Sequence, residues 1–129
     1  MTDTEKITIN LSVVDVGRID LLVDQGFYST RTDFIRTATR NQLSTHASDI
    51  QDTIRSRHIV VGVNHYDAAD LEKYQLKNEA LDLRTMGLLI LDKDISPELA
   101  RATISSIKVF GSMKASPEVK AALSSRIVK

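Results

Sequence analysis

The segment that most constrains the fold of this chain is Lys6–Leu11, where polar and apolar residues alternate without interruption. Alternation with a period of two is typical of a half-buried β-strand. It puts Ile7, Ile9 and Leu11 on one face and Lys6, Thr8 and Asn10 on the other. The residues that follow have a helical pattern, so this strand has no nearby strand with which to exchange backbone hydrogen bonds. We therefore expect it to pair with the same strand of a second copy of the chain.

A helix is predicted directly after the strand. Ser12 with Asp15 three residues later forms a capping-box-like start, and apolar residues then recur at helical spacing. Gly26 is a natural C-terminal cap. We expect this first helix to run roughly from Val13 to Gln25.

A second helix is predicted after a short turn. Two overlapping starts are present, one at Ser29 and one at Thr30, and the second fits the capping pattern better because Asp33 follows it by three residues. The helical spacing of the apolar residues then continues to Leu43. We expect the second helix to span roughly Arg31 to Leu43.

This order of elements resembles the ribbon-helix-helix family of DNA-binding proteins. The resemblance rests on Ile7–Leu11, Gly26–Ser29 and Arg31–Arg36, and it covers Glu5–Leu43, about a third of the chain. It implies an intertwined homodimer whose paired antiparallel strands enter the major groove of double-stranded DNA. Within that arrangement, the resemblance implies base contacts from Lys6, Thr8 and Asn10 and phosphate contacts from Ser29, Thr30 and Arg31.

Size and charge bear on this interpretation. A segment of about 40 residues rarely buries enough surface to fold alone, which favours a dimer independently of the resemblance. Residues 1–43 carry five basic and six acidic residues, a net charge of −1. The acidic residues of the first helix are separated from the basic residues of the strand and the second helix. We expect modest affinity per dimer, so that tandem sites or higher assembly strengthen binding.

Composition excludes several classes of protein. The chain has 129 residues, a net charge of zero and no cysteine, which rules out disulfides and thiolate metal sites. No run of apolar residues is long enough to span a membrane, and the first residues lack a signal-peptide pattern. We expect a soluble, cytoplasmic protein with no membrane partner.

The middle of the chain mixes helical and strand patterns. Residues 44–57 are polar and uninterrupted by Gly or Pro, which predicts a helical connector over residues 45–57, either an extension of the second helix or a separate short helix. His58–Val63 is a β-branched run that predicts a buried strand. Asp67 is suited to cap a short helix, and Met86–Leu91 is a second apolar run typical of a strand.

The last third of the chain contains an internal repeat. The first copy consists of Met86–Leu91, a Ser-Pro-Glu unit and a segment that ends at Ile107. The second copy consists of Phe110–Ala115, a second Ser-Pro-Glu unit and a segment that ends at Ile127. Each copy predicts a strand, a turn and a helix with Ser at the cap and Pro at its first position. About three such units are usually needed for a stable core. We therefore expect these two to stack on the strand around Val60, on another subunit, or on both; the alternative is an ordinary α/β domain with a chance similarity.

Candidate chemistry is sparse. The three histidines, His46, His58 and His65, have no cysteine to join them, and a metal site would need Asp67 or Asp70 across subunits. Surface or structural roles are the simpler interpretation, and Asp92 and Asp94 are most simply solvated loop residues rather than a catalytic dyad. No nucleophile elbow or phosphate-binding glycine loop is present. We expect no enzyme activity, no metal and no cofactor.

Together these patterns predict an α+β fold with a ribbon-helix-helix domain over residues 1–44, a connector over 45–57 and an α/β domain over 58–129. The α/β domain would contain two strand–turn–helix repeats. The predicted function is that of a sequence-specific transcriptional repressor whose C-terminal domain assembles dimers into tetramers or larger species. Two alternatives stay open: an antitoxin that also binds a toxin protein, and a self-polymerising structural protein.

Overall fold

The computed structural model describes residues 4–128, which fold as two compact units. The first comprises Lys6–Thr53, and the second takes in the chain from Ile54 onward. The first unit contains helices α1 (Val13–Asp24) and α2 (Arg31–Thr45), and α3 (Ala47–Ser56) begins in it and ends in the second unit. Residues 4–12 form neither helix nor strand in the single chain.

Helix α1 begins and ends where local chemistry predicts. The Ser12 hydroxyl accepts a hydrogen bond from the Asp15 N–H at 3.1 Å. At the other end, the N–H of Gly26 donates to the Val23 carbonyl and that of Phe27 to the Leu22 carbonyl. This is a Schellman motif, and Gly26 adopts the left-handed φ of +84° that it requires. The predicted first helix is confirmed.

Helix α2 uses the second of its two possible caps. Thr30 Oγ1 accepts from the Asp33 N–H at 3.0 Å, and Thr30 is extended as an N-cap residue should be. The helix continues to Thr45, two residues beyond the predicted end. Because α3 starts at Ala47, the predicted helical connector is a separate short helix rather than an extension of α2.

The second unit is a four-stranded parallel sheet in the order β1-β2-β3-β4. One helix connects each strand to the next, and the side chains between sheet and helices form a core that includes Leu71, Leu89, Ile107 and Val119. The strands are β1 (Val60–Tyr66), β2 (Leu81–Leu91), β3 (Ile104–Lys114) and β4 (Ile127–Val128), and the connecting helices are α4 (Ala68–Leu76), α5 (Pro97–Thr103) and α6 (Pro117–Ala122).

The sheet bends along a row of glycines. Gly62, Gly87 and Gly111 lie opposite one another in β1, β2 and β3. The Asn64 side-chain amide donates to Thr85 Oγ1 at 2.9 Å. The register, however, pairs Asn64 with Leu89, four residues beyond Thr85. Such a contact requires the strands to turn sharply between these positions, and the three glycines lie at the turn.

Three predictions about this unit need correction. The strand predicted at His58–Val63 begins at Val60 and is not buried, because β1 lies at the sheet edge with Val61 61% exposed. The helix predicted to reach Ile107 ends at Thr103, because β-branched Ile104 starts β3 and pairs with β2. Similarly, the helix predicted to reach Ile127 ends at Ala122, and Ile127 lies in β4.

Candidate nucleic-acid interface

The residues predicted to face DNA bases lie in the segment before α1. Lys6, Thr8 and Asn10 are exposed, and no hydrogen bond or ion pair occupies their side chains within residues 4–128. The alternate residues are equally uncovered: Ile7 is 77% exposed and Ile9 57%. A single chain thus leaves both faces of the predicted strand in solvent.

The first unit has almost no core of its own. Ile19 is its only buried side chain. Tyr28 packs edge-on against Phe34 with ring centroids 5.0 Å apart, which holds the turn before α2 against the helix itself. A unit with one buried side chain cannot offset the entropy of ordering its backbone, so its exposed apolar residues require a further surface.

Side chains organise the start of α2. Both the N–H and the hydroxyl of Ser29 donate to Asp33 Oδ2, at 3.0 and 3.2 Å. The Asp33 N–H is satisfied by Thr30. The N–H groups of Arg31 and Thr32 belong to the first turn and have no acceptor within the helix. They are the donors that the positive end of the helix dipole offers to an anion.

Arg31 is engaged with a carboxylate rather than free. Its Nε and Nη2 donate to the two oxygens of Asp20 on α1, at 2.7 and 2.8 Å. The hydrogen bond from Arg31 lowers the pKa of Asp20, and the same pair raises the pKa of Arg31. Sequence reasoning missed Asp20, because a pairing 11 residues apart between two helices has no local signal. Lys6, Arg36 and Arg40 form no ion pair within the described residues.

The residues considered as metal ligands have other roles. Asp67 and Asp70 cap α4 reciprocally, and His65 Nε2 lies 3.1 Å from Asp92 Oδ2. His58 precedes β1 with a φ of +53°. No group of three potential ligands occurs among residues 4–128. Within the same residues, no helix has the length and apolar character needed to cross a membrane.

Comparison with known families decides the classification. The model of the ribbon-helix-helix transcriptional regulator family matches residues 2–120. The chain belongs to this family. Ribbon-helix-helix regulators bind DNA, typically as dimers, and are typically not enzymes. No curated protein and no solved structure gives a match.

The extent of the family match corrects one prediction. The resemblance drawn from sequence covered only Glu5–Leu43, whereas the ribbon-helix-helix match includes the parallel sheet through β3. The family match therefore extends beyond the two N-terminal helices to the residues that form β1, β2 and β3.

Proposed function

We propose that this protein is a sequence-specific transcriptional repressor that reads the major groove with a two-stranded ribbon. The observation that carries the proposal is the state of the N-terminal segment. Ile7, Ile9 and Leu11 alternate along it and are all exposed, and the unit that contains them buries only Ile19. Pairing with the same segment of a second copy would supply both the missing backbone partners and the missing apolar contacts.

In the ribbon, Lys6, Thr8 and Asn10 form the face opposite that apolar row. Lysine is suited to the acceptors of guanine, and asparagine can bond adenine through two hydrogen bonds. The start of α2 would hold a backbone phosphate through its free N–H groups, with Ser29 and Thr30 fixing the turn. Arg31 would keep its Asp20 partner, so that the neutral pair holds the guanidinium beside the phosphate and its remaining N–H groups can donate to it. Contacts to the bases would give sequence specificity, and contacts to the phosphates would fix the position of the protein along the DNA.

These roles assign a separate function to each part of the chain. We assign DNA binding and dimerisation to residues 1–44, a connector to 45–57, and assembly of dimers on repeated sites to 58–129. Repression would result from occupying an operator. The antitoxin alternative has less support, because the chain from Ile54 onward forms a sheet-and-helix unit with its own core rather than a segment that needs a partner to fold.

Asn10→Ala tests base recognition. Operator duplexes are first selected from random sequence with the wild-type chain, and binding is then measured at fixed salt on the selected and on unselected DNA. The variant should lose about 1–3 kcal/mol on the operator, confined to one base pair, with binding to unselected DNA nearly unchanged.

Asn41→Ala is the matched control, since Asn41 is an exposed asparagine on α2, away from the proposed ribbon. It should leave both affinities unchanged. Equal losses by Asn10→Ala on operator and unselected DNA would refute base recognition by Asn10.

A further inference from the structure

In the glycine row, the backbone conformation of Gly62 is not explained by any contact within the described residues. Gly62, Gly87 and Gly111 have φ values of +117°, +130° and +123°. For the latter two a cause is present in the chain: a Cβ on Gly87 would collide with the Gly62 carbonyl oxygen, and a Cβ on Gly111 with that of Gly87. Each of these glycines is needed because the preceding strand approaches too closely for any side chain.

Gly62 has the same backbone conformation without that cause. A Cβ placed on it meets nothing within 4 Å. No strand lies on the outer side of β1 among the described residues, since the sheet order begins with β1. The conformation of Gly62 is therefore the one that a neighbouring strand with a glycine at this row would require.

The exposed side chains of β1 also indicate that a further strand belongs on its outer side. Val63 is 55% exposed, whereas Leu88, which lies opposite it on β2, is only 5% exposed. Val61 is 61% exposed, whereas its partner Met86 is half-buried. An additional strand outside β1 would cover these valines as the inner strands are covered.

On the other side of the sheet, β3 has unpaired residues at the positions that an added β1 strand would occupy. β4 pairs only with Ile107 and Lys108. Within residues 4–128, the outer edge of β3 from Val109 to Lys114 has no partner. Val60, the first residue of β1, occupies the row of Val109, because both pair with Thr85. A β1 strand placed against β3 would thus begin at the row where β4 stops.

We propose that β1 of one copy adds in parallel to the outer edge of β3 in the next copy, with Gly62 opposite Gly111. This contact deepens, and rests on, the assembly role proposed for residues 58–129. We assign the partner as a second copy of the chain, because the outer edge of β3 offers both the Gly111 carbonyl and unpaired residues in the rows that β1 would occupy. The two surfaces differ, so the contact is heterologous and can repeat without closing. Combined with the ribbon, it links dimers along repeated DNA sites.

Two lysine substitutions block the two sides separately. Val63→Lys puts a charge on β1, and Ser112→Lys puts one at the corresponding row of β3. Met86→Lys is the control, since it places the same charge on the middle strand β2, in the row of Val61 and Phe110, and leaves both edges of the sheet unchanged. The mass of the full chain is followed by sedimentation velocity against concentration, without DNA.

We expect the wild type and Met86→Lys to grow beyond the dimer as concentration rises. Val63→Lys and Ser112→Lys should each need about tenfold more protein to do so, because the added strand would cover the lysine and place its unpaired charge beside apolar neighbours in the row of Leu88. An equimolar mixture of the two should assemble again, since one retains an intact β3 edge and the other an intact β1 edge.

Three results would overturn the contact. The wild type could stay a dimer at all concentrations, both edge variants could assemble as the wild type does, or Ser112→Lys alone could assemble while Val63→Lys does not. The last would show symmetric pairing of β1 with β1. Binding of the Val63→Lys dimer to selected operator DNA is measured separately; its loss would count against the repressor function and leave the β1–β3 contact untouched.

Discussion

At the scale of single residues, the ion pair between Asp20 and Arg31 sets the orientation of α2 relative to α1. Two parallel hydrogen bonds join a planar guanidinium to a carboxylate, a geometry that resists rotation better than a single contact. Both side chains are about half-exposed, so the pair contributes orientation more than stability. It also fixes the Arg31 guanidinium beside the proposed phosphate-binding turn.

Asp20→Asn tests this ion pair through its pH dependence. The pKa of Asp20 is lowered in the folded chain, so its contribution is complete above the ordinary aspartate pKa of about 3.9 and is lost as pH falls through the lower folded value. The wild type should therefore unfold at a higher temperature than the variant at pH 7. The difference should shrink below about pH 4.

Thermal unfolding between pH 7 and pH 3 measures this difference. Asp24→Asn is the control, because Asp24 lies on the same helix and has no ion pair within the described chain. It should match the wild type throughout. A difference between wild type and Asp20→Asn that stays constant to pH 3 would contradict the proposed role of the ion pair.

The helix caps show what sequence reveals at this scale. Ser12, Thr30, Ser96 and Ser116 each accept the N–H three residues ahead, as their spacing predicts. Such signals are local and need no knowledge of the fold. The Asp20–Arg31 pair and the Asn64–Thr85 contact depend on tertiary geometry, so no spacing rule could find them.

At the scale of elements, the strands were harder to predict than the helices. β2 starts at Leu81, five residues before the apolar run at Met86, because pairing with β3 extends it. Strand limits follow from neighbours distant in sequence, whereas helix limits follow from local caps. The repeat was found in its two later copies; its first copy was missed, although Gly62 precedes Gly87 by 25 residues.

Gly87→Ala tests the close packing of strands at the glycine row. The new Cβ would collide with the Gly62 carbonyl oxygen, and alanine would have to adopt a φ of +130°. We expect the free energy of unfolding to fall by about 2 kcal/mol or more, measured by chemical denaturation.

Gly17→Ala is the matched control for Gly87→Ala. Gly17 lies within α1, and a Cβ added to it would meet no neighbouring group within 4 Å. There, alanine should raise helix stability by up to about 1 kcal/mol. If Gly87→Ala is as stable as the wild type, the strands do not pack as closely as the structure indicates.

At the scale of the whole molecule, two kinds of self-association would combine. The ribbon would form a closed dimer through identical segments, whereas the β1–β3 contact would be open-ended. Residues 1–43 carry a net charge of −1, so binding by one dimer would gain little from bulk electrostatics. Linked dimers on repeated sites would gain affinity through effective concentration instead.

Two neighbouring substitutions test whether the N-terminal strands pair to form the dimer. Ile9→Lys places a charge on the apolar face of the proposed strand, and Thr8→Lys places the same charge on the DNA face. The mass of the smallest species of the full chain is measured by light scattering at low concentration. We predict that Ile9→Lys is a monomer that has lost DNA binding, whereas Thr8→Lys remains a dimer that still binds unselected DNA. A dimeric Ile9→Lys with wild-type DNA affinity would show that the paired strands do not form the dimer.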